Sequence, residues 1–134
     1  MKVKLDFVTN SSTTSFIGWG VCLEEGDIFK NEKLLTKCFE NYKKSENADP
    51  GLSFKKFKED YIQFPPEILE YIRSEILEHS CGPDGDECMI AGSPTRIKDD
   101  QTLGDYKKQI ISELAEYGII VETLTYIEEA WRDG

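Results

Sequence analysis

The side chains in this chain best able to hold a metal or carry redox chemistry are Cys22, Cys38, Cys81, Cys88 and the single histidine, His79. Zinc sites of the knuckle type set two cysteines two residues apart, so that both thiolates reach one ion from a tight turn. Here Cys81 and Cys88 enclose six residues, and no Cys-x2-Cys pair occurs. Asp84, Asp86 and Glu87 repeat part of a calcium loop but lack its twelfth-position glutamate, which reads as a polar turn. A Cys81–Cys88 disulfide is sterically conceivable across that turn. A reducing cytosol argues against it, so all four cysteines are expected as thiols. For nucleophilic catalysis there is one histidine and no Gly-x-Ser-x-Gly elbow. Ser53-Phe54-Lys55-Lys56 matches Ser-x-x-Lys without its companion elements, and Gly18-Trp19-Gly20 lacks the third glycine of a phosphate-cradling loop. No catalytic residue, metal or cofactor is expected.

The remaining candidate is a polar run, Asn10-Ser11-Ser12-Thr13-Thr14-Ser15, set between two apolar stretches. A tight hairpin needs only two loop residues, so six hydrogen-bonding side chains exceed what a turn requires. As a connector the run would be an ordinary loop of Asx and Ser/Thr turns. As a binding surface, its hydroxyls and backbone N–H groups would take an anion or a partner's strand. The C-terminal tail adds Trp131 and Arg132, where a large aromatic is expected to pack on the sheet or on a partner.

Charge narrows the partners. The net charge is −10 and lies wholly in residues 65–134, where 16 Asp/Glu face 6 Lys/Arg; residues 1–64 carry 10 of each sign. Such a field repels phosphates and excludes ordinary nucleic-acid binding. The chain holds no apolar run of the roughly 20 residues that cross a bilayer and no secretory h-region, so a cytoplasmic protein with no membrane contact is expected.

These residues have to be carried by elements. Val3, Leu5 and Phe7 alternate with polar residues, as in a half-buried strand, and Phe16–Leu23 alternates likewise. The two read as a hairpin closed by the polar run, with Gly18 and Gly20 leaving room for another element. Asn31 caps a helix with the stripe Leu34, Leu35, Cys38, Phe39 and Tyr42. Ser53 caps a short helix with Phe54, Phe57 and Tyr61. Pro65-Pro66 starts one reaching Leu77, with Ile68, Leu69, Ile72 and Ile76 inward and Glu67, Glu70 and Glu78 outward. Residues 80–87 form a turn, and Cys88–Gly92 a strand. Thr102 and Asp105 open a helix ended by Gly118, and Ile119–Ile127 is the last strand. Strand, helix and strand at this spacing predict a right-handed crossover between parallel strands. The expectation is a single α+β domain over residues 1–134, with a four-stranded mixed sheet (N-terminal hairpin plus C-terminal β-α-β) and about four helices mainly on one face.

The segment from Asp6 to Ile17, Asp-Phe-Val-Thr-Asn-Ser-Ser-Thr-Thr-Ser-Phe-Ile, resembles the opening of uncharacterised small proteins of Gram-positive bacteria and phages. These begin with Phe-Val-Ser/Thr-Asn, a serine run and Phe. The ending Trp131-Arg132-Asp133-Gly134 is similar to the Trp-x-Asp-Gly tails of some of them. The resemblance implies a bacterial or phage origin and a polar run with a purpose; it carries no activity. The resulting expectation is a non-enzymatic interaction module that binds another protein through residues 10–15 and the tail. The alternatives are an acidic mimic of DNA phosphates that blocks a nucleic-acid-binding factor, and a small enzyme using a carboxylate pair or Cys81 with His79.

Because the cysteine spacing is wrong for a knuckle, the purified protein should carry no stoichiometric zinc and should melt at the same temperature with and without EDTA. One equivalent of zinc by mass spectrometry, with unfolding on chelation, would contradict this.

Overall fold

The computed structural model describes residues 13–61, 65–82 and 87–132. The chain is α+β. Strand β1 (Thr13–Glu24) leads into α1 (Glu25–Phe29) and α2 (Glu32–Lys43). A short α3 (Phe54–Lys56) runs into a π-helical turn at Phe57–Tyr61, and α4 (Pro65–Leu69) follows. The hairpin β2 (Leu77–Cys81) and β3 (Glu87–Gly92), then α5 (Leu103–Glu116) and β4 (Thr125–Arg132), complete the order.

The strands form one sheet in the order β2-β3-β1-β4, and every neighbouring pair is antiparallel. The expected mixed sheet is therefore corrected. β3 and β4 both oppose β1, so they run in the same direction as a β-α-β unit demands. They are not neighbours, however, because α5 carries the chain past β1, which lies between them.

Local chemistry explains where helices begin and end. The Asn31 side chain accepts from the amide of Leu34 at 3.1 Å, and the predicted stripe Leu34, Leu35, Cys38, Phe39 and Tyr42 is buried in full. Thr102 caps α5 through the amide of Asp105, again at 3.1 Å, and Tyr106, Ile110 and Leu114 point inward. At its far end Gly118, at φ 77°, lets its own amide bond Ala115 and the amide of Ile119 bond Leu114, the paired bonds of a Schellman cap. Ile119 thereby packs into the core as part of the cap, and the last strand starts at Thr125 rather than at Ile119.

The helix expected from Pro65 to Leu77 stops at Leu69. The Ser74 hydroxyl accepts from the amides of Ile76 and Leu77 at 3.1 and 3.0 Å, diverting both from helical carbonyls. Leu77–Cys81 becomes a strand instead, with Glu78 exposed on it, and the turn expected over residues 80–87 is shortened accordingly. The strand expected at Val3–Phe7 lies outside the described residues. Thr13–Ser15, expected in a loop, begin β1.

The main core gathers side chains from α1, α2, α4 and α5 with Val21, Leu77, Cys88 and Ile90 of the sheet. A second cluster, Phe16, Met89, Ala91 and Ile127, occupies the opposite face. The close approach expected at the paired glycines occurs within the sheet: a Cβ built on Gly20 would run into the carbonyl of Ile90 and lie 2.5 Å from Ala91 Cα. Gly20→Ala should therefore lower stability by about 3 kcal/mol or more, or prevent folding, with β1 and β3 forced apart. A denaturant midpoint within error of the parent would contradict the packing described for β1 on β3.

Candidate functional site

Two segments singled out in the sequence, far apart along the chain, become neighbours. Thr13 pairs with Arg132, Thr14 with Trp131 and Ser15 with Ala130, so the second half of the polar run and the C-terminal tail are adjacent strands. Asn10, Ser11 and Ser12 lie outside the described residues. β3 pairs with β1 only from Trp19 to Glu24, while β4 pairs with it from Thr13 to Gly20. Among the described residues, β1 from Thr13 to Gly18 thus has a strand on one side alone. It forms with β4 a two-stranded ribbon that runs beyond the end of β3. Beside the ribbon is a cleft of about 370 Å³ lined by Phe16, Ile17, Glu78, Ser93, Pro94 and Thr95.

Cys81 and Cys88 face each other across the β2–β3 hairpin and are joined as a disulfide, correcting the expectation of four thiols. Cys38 is buried, and burial pushes its thiol up to about 12, far from the range in which a thiolate reacts. Cys22 is exposed. His79 shares a face of β2 with Cys81, since strand residues two apart point the same way. Among the described residues no three His, Cys, Asp or Glu side chains gather as metal ligands would. Asp84 and Asp86 lie outside them, and Glu87 is exposed at the start of β3.

A serine–carboxylate contact appears where the sequence offered no motif. Ser74 donates a short hydrogen bond to Glu113 of α5, and Gln109 donates to the other oxygen of Glu113 at 3.3 Å. The two flank an open cleft of about 600 Å³ that also includes Ile72, Arg73 and Glu75. This arrangement resembles half of a nucleophilic dyad, yet its chemistry is structural. The serine oxygen already accepts from two backbone amides, so the lone pairs a nucleophile needs are engaged, and the carboxylate anchors a turn.

The same turn is held from its other side by the Tyr117 hydroxyl. It accepts from the amide of Arg73 and the side chain of Asn41, both at 2.8 Å, and donates to the carbonyl of Arg73 at 3.2 Å. Asn41 donates to Tyr71 as well, at 2.8 Å. On the face of the sheet that carries Val21 and Ile90, Trp19 meets Tyr106 edge-on at 6.3 Å and Tyr126 at 5.8 Å, with Lys107 5.8 Å above its ring. Tyr126 stays half exposed there, on the strand that is terminal among the described residues.

No family model, curated protein or solved structure matches this chain. The site is accordingly read from its own residues. Ser74, Glu113 and Asn41, and the hydrogen-bonding role of Tyr117, which the sequence marks only as part of the apolar stripe of α5, were not legible because their partners are 30 to 76 residues away or are backbone atoms. The one local signal was Ser74 itself, a side chain able to turn the chain inside an apparent helix.

Tyr117→Phe removes the hydroxyl and leaves the Arg73 amide and the Asn41 side chain without their acceptor. It should destabilise by about 1–3 kcal/mol in chemical denaturation while leaving helix content unchanged. A change under about 0.5 kcal/mol would show that water satisfies these groups and that the turn does not depend on Tyr117.

Proposed function

We propose that this protein is a non-enzymatic interaction module and that its partner, another protein, adds an extended segment to the β1–β4 ribbon. The observation that supports this is the register itself. Thr13–Ser15 of the polar run and Trp131 and Arg132 of the tail, the residues whose chemistry suggested binding, lie side by side at the end of the sheet. Recognition by strand addition draws affinity from backbone donors and acceptors and specificity from side chains alternating along the edge. The ribbon offers both kinds of contact. Among the described residues β4 is a terminal strand of the sheet, and the neighbouring cleft presents the apolar Phe16 and Ile17 next to the hydroxyls of Ser93 and Thr95.

The acidic composition favours a partner segment carrying Lys or Arg, because complementary charge speeds encounter and suppresses wrong partners. Function as an enzyme has less support: the serine–glutamate pair is engaged in holding a turn, and the buried Cys38 is held as a thiol.

The test places a photo-crosslinking amino acid at position 14, at position 132, or at the exposed Glu40 of α2 as a control. In cells of the source organism, positions 14 and 132 should yield the same crosslinked protein and Glu40 should not. Crosslinks obtained equally from position 40, or different proteins from 14 and 132, would contradict the ribbon as the docking edge.

A further inference from the structure

β2 is held at its two ends by different means. At one end Leu77 is buried and the Ser74 hydroxyl fixes the entering turn. Glu78 and His79 are exposed, and Ser80 and Cys81 are half-buried. At the other end the strand is fastened to β3 by the Cys81–Cys88 bond, between residues in direct register with Cα atoms 4.0 Å apart. The loop the bond encloses is only six residues long, and the ladder together with the Gly82 amide to Glu87 carbonyl bond at 2.9 Å already closes it. A crosslink over so short a loop removes less chain entropy than one over a long loop, and it joins residues that the ladder already pairs, so its effect is local.

The two sulfurs differ in surroundings. Cys88 is fully buried in the main core, next to Leu23 in the β1 register, whereas Cys81 is half-buried at the rim. Neither other cysteine can easily join them. Cys22 lies on the opposite face of the sheet from its neighbour Leu23, and Cys38 is buried as a thiol. The pair therefore forms a two-electron couple in which Cys81 is the less buried member.

We propose that Cys81–Cys88 is a reversible thiol–disulfide exchange site for low-molecular-weight thiols, with Cys81 the attacked sulfur and Cys88 the resolving one. A thiolate RS⁻ attacks Cys81 Sγ and the S–S bond breaks. The electron pair leaves on Cys88 Sγ, which takes a proton from water. A second RS⁻ attacks the small-molecule sulfur of the mixed disulfide, releasing RSSR and the Cys81 thiolate, which is protonated in turn. The net reaction oxidises two RSH to RSSR and reduces the protein disulfide to a dithiol; oxidation by RSSR runs the same steps backwards. Opening the bond leaves the Cys81 end of β2 held by hydrogen bonds alone while its Leu77 end stays anchored by packing, so the redox state is read out as order at this edge of the sheet.

The test equilibrates the full chain in graded ratios of reduced to oxidised glutathione, followed by acid quench, alkylation and intact mass. The oxidised protein should take two alkyl groups when denatured and the reduced protein four, reversibly. Helix content should stay constant, and hydrogen exchange should speed up at Ser80 and Cys81 on reduction. Cys88→Ser, which leaves Cys81, should accumulate about tenfold more mixed disulfide with glutathione than Cys81→Ser. Peptide mapping of the wild-type mixed disulfide gives the same assignment should either variant fail to fold. Loss of all helix content on reduction, equal trapping at both positions, or four alkylated thiols at every ratio would each overturn the proposal.

Discussion

β1 is paired on both edges, but over different stretches. It meets β3 from Trp19 to Glu24 and β4 from Thr13 to Gly20, so among the described residues only Trp19 and Gly20 have a strand on each side. At that crossing the sequence supplies Gly20, whose missing Cβ makes room for the backbone of Ile90 and Ala91. The position of this twelve-residue strand has two consequences. Because β1 lies between β3 and β4 and opposes both, the β3-α5-β4 unit steps over it and every neighbouring pair is antiparallel. It also leaves one end of the sheet as a ribbon of β1 with β4, and the other as β1 with the β2–β3 hairpin.

The irregular chain from residue 70 to 76 is the second constraint, since it converts a helix into the edge strand β2. Backbone groups leaving a helix inside a packed domain need partners. Here side chains from two distant helices supply them: Tyr117 and Asn41 take the groups around Tyr71 and Arg73, and Glu113 holds the serine that caps Ile76 and Leu77. The polar atoms clustered here thus have a full structural account. The chemistry left over is at the sheet's two ends, the ribbon and the Cys81–Cys88 hairpin.

What could be read from the sequence was what depends on neighbours close along the chain. The helical stripe of α2, its Asn31 cap, the Thr102 cap of α5 and the Gly118 stop all rest on contacts within four or five residues, and each is found where the pattern put it. The misplaced elements depend on distant partners. Ile76 and Leu77 continue a helical period as well as they begin a strand, and only β3 and the Ser74 turn decide between the two. Ile119 is apolar because it closes a helix cap against the core, a role that a strand pattern imitates. Thr13–Ser15 are polar yet extended, because β4 supplies their pairing from the other end of the chain. The candidate site was legible as two lists of residues; that they form one place was not, since register between strands is set in three dimensions.

The same topology governs how charge is arranged. Residues 1–64 are neutral and contribute β1; residues 65–134 carry the −10 and contribute β2, β3 and β4. β1 and β3 set Glu24 directly opposite Glu87 at one end of their ladder, a like-charge pair that is tolerable because both side chains are exposed to water. The terminal strands carry carboxylates as well: Glu78 lies on β2, and Glu128, bonded to Tyr126 at 3.2 Å, on β4. A strand approaching β4 therefore meets backbone donors and acceptors in an acidic setting. A second copy of this chain brings the same negative field and is disfavoured at long range, whereas a basic segment is drawn in. The edge most open to strand addition is in this way biased against self-association, which is how exposed edges are kept from joining their own kind.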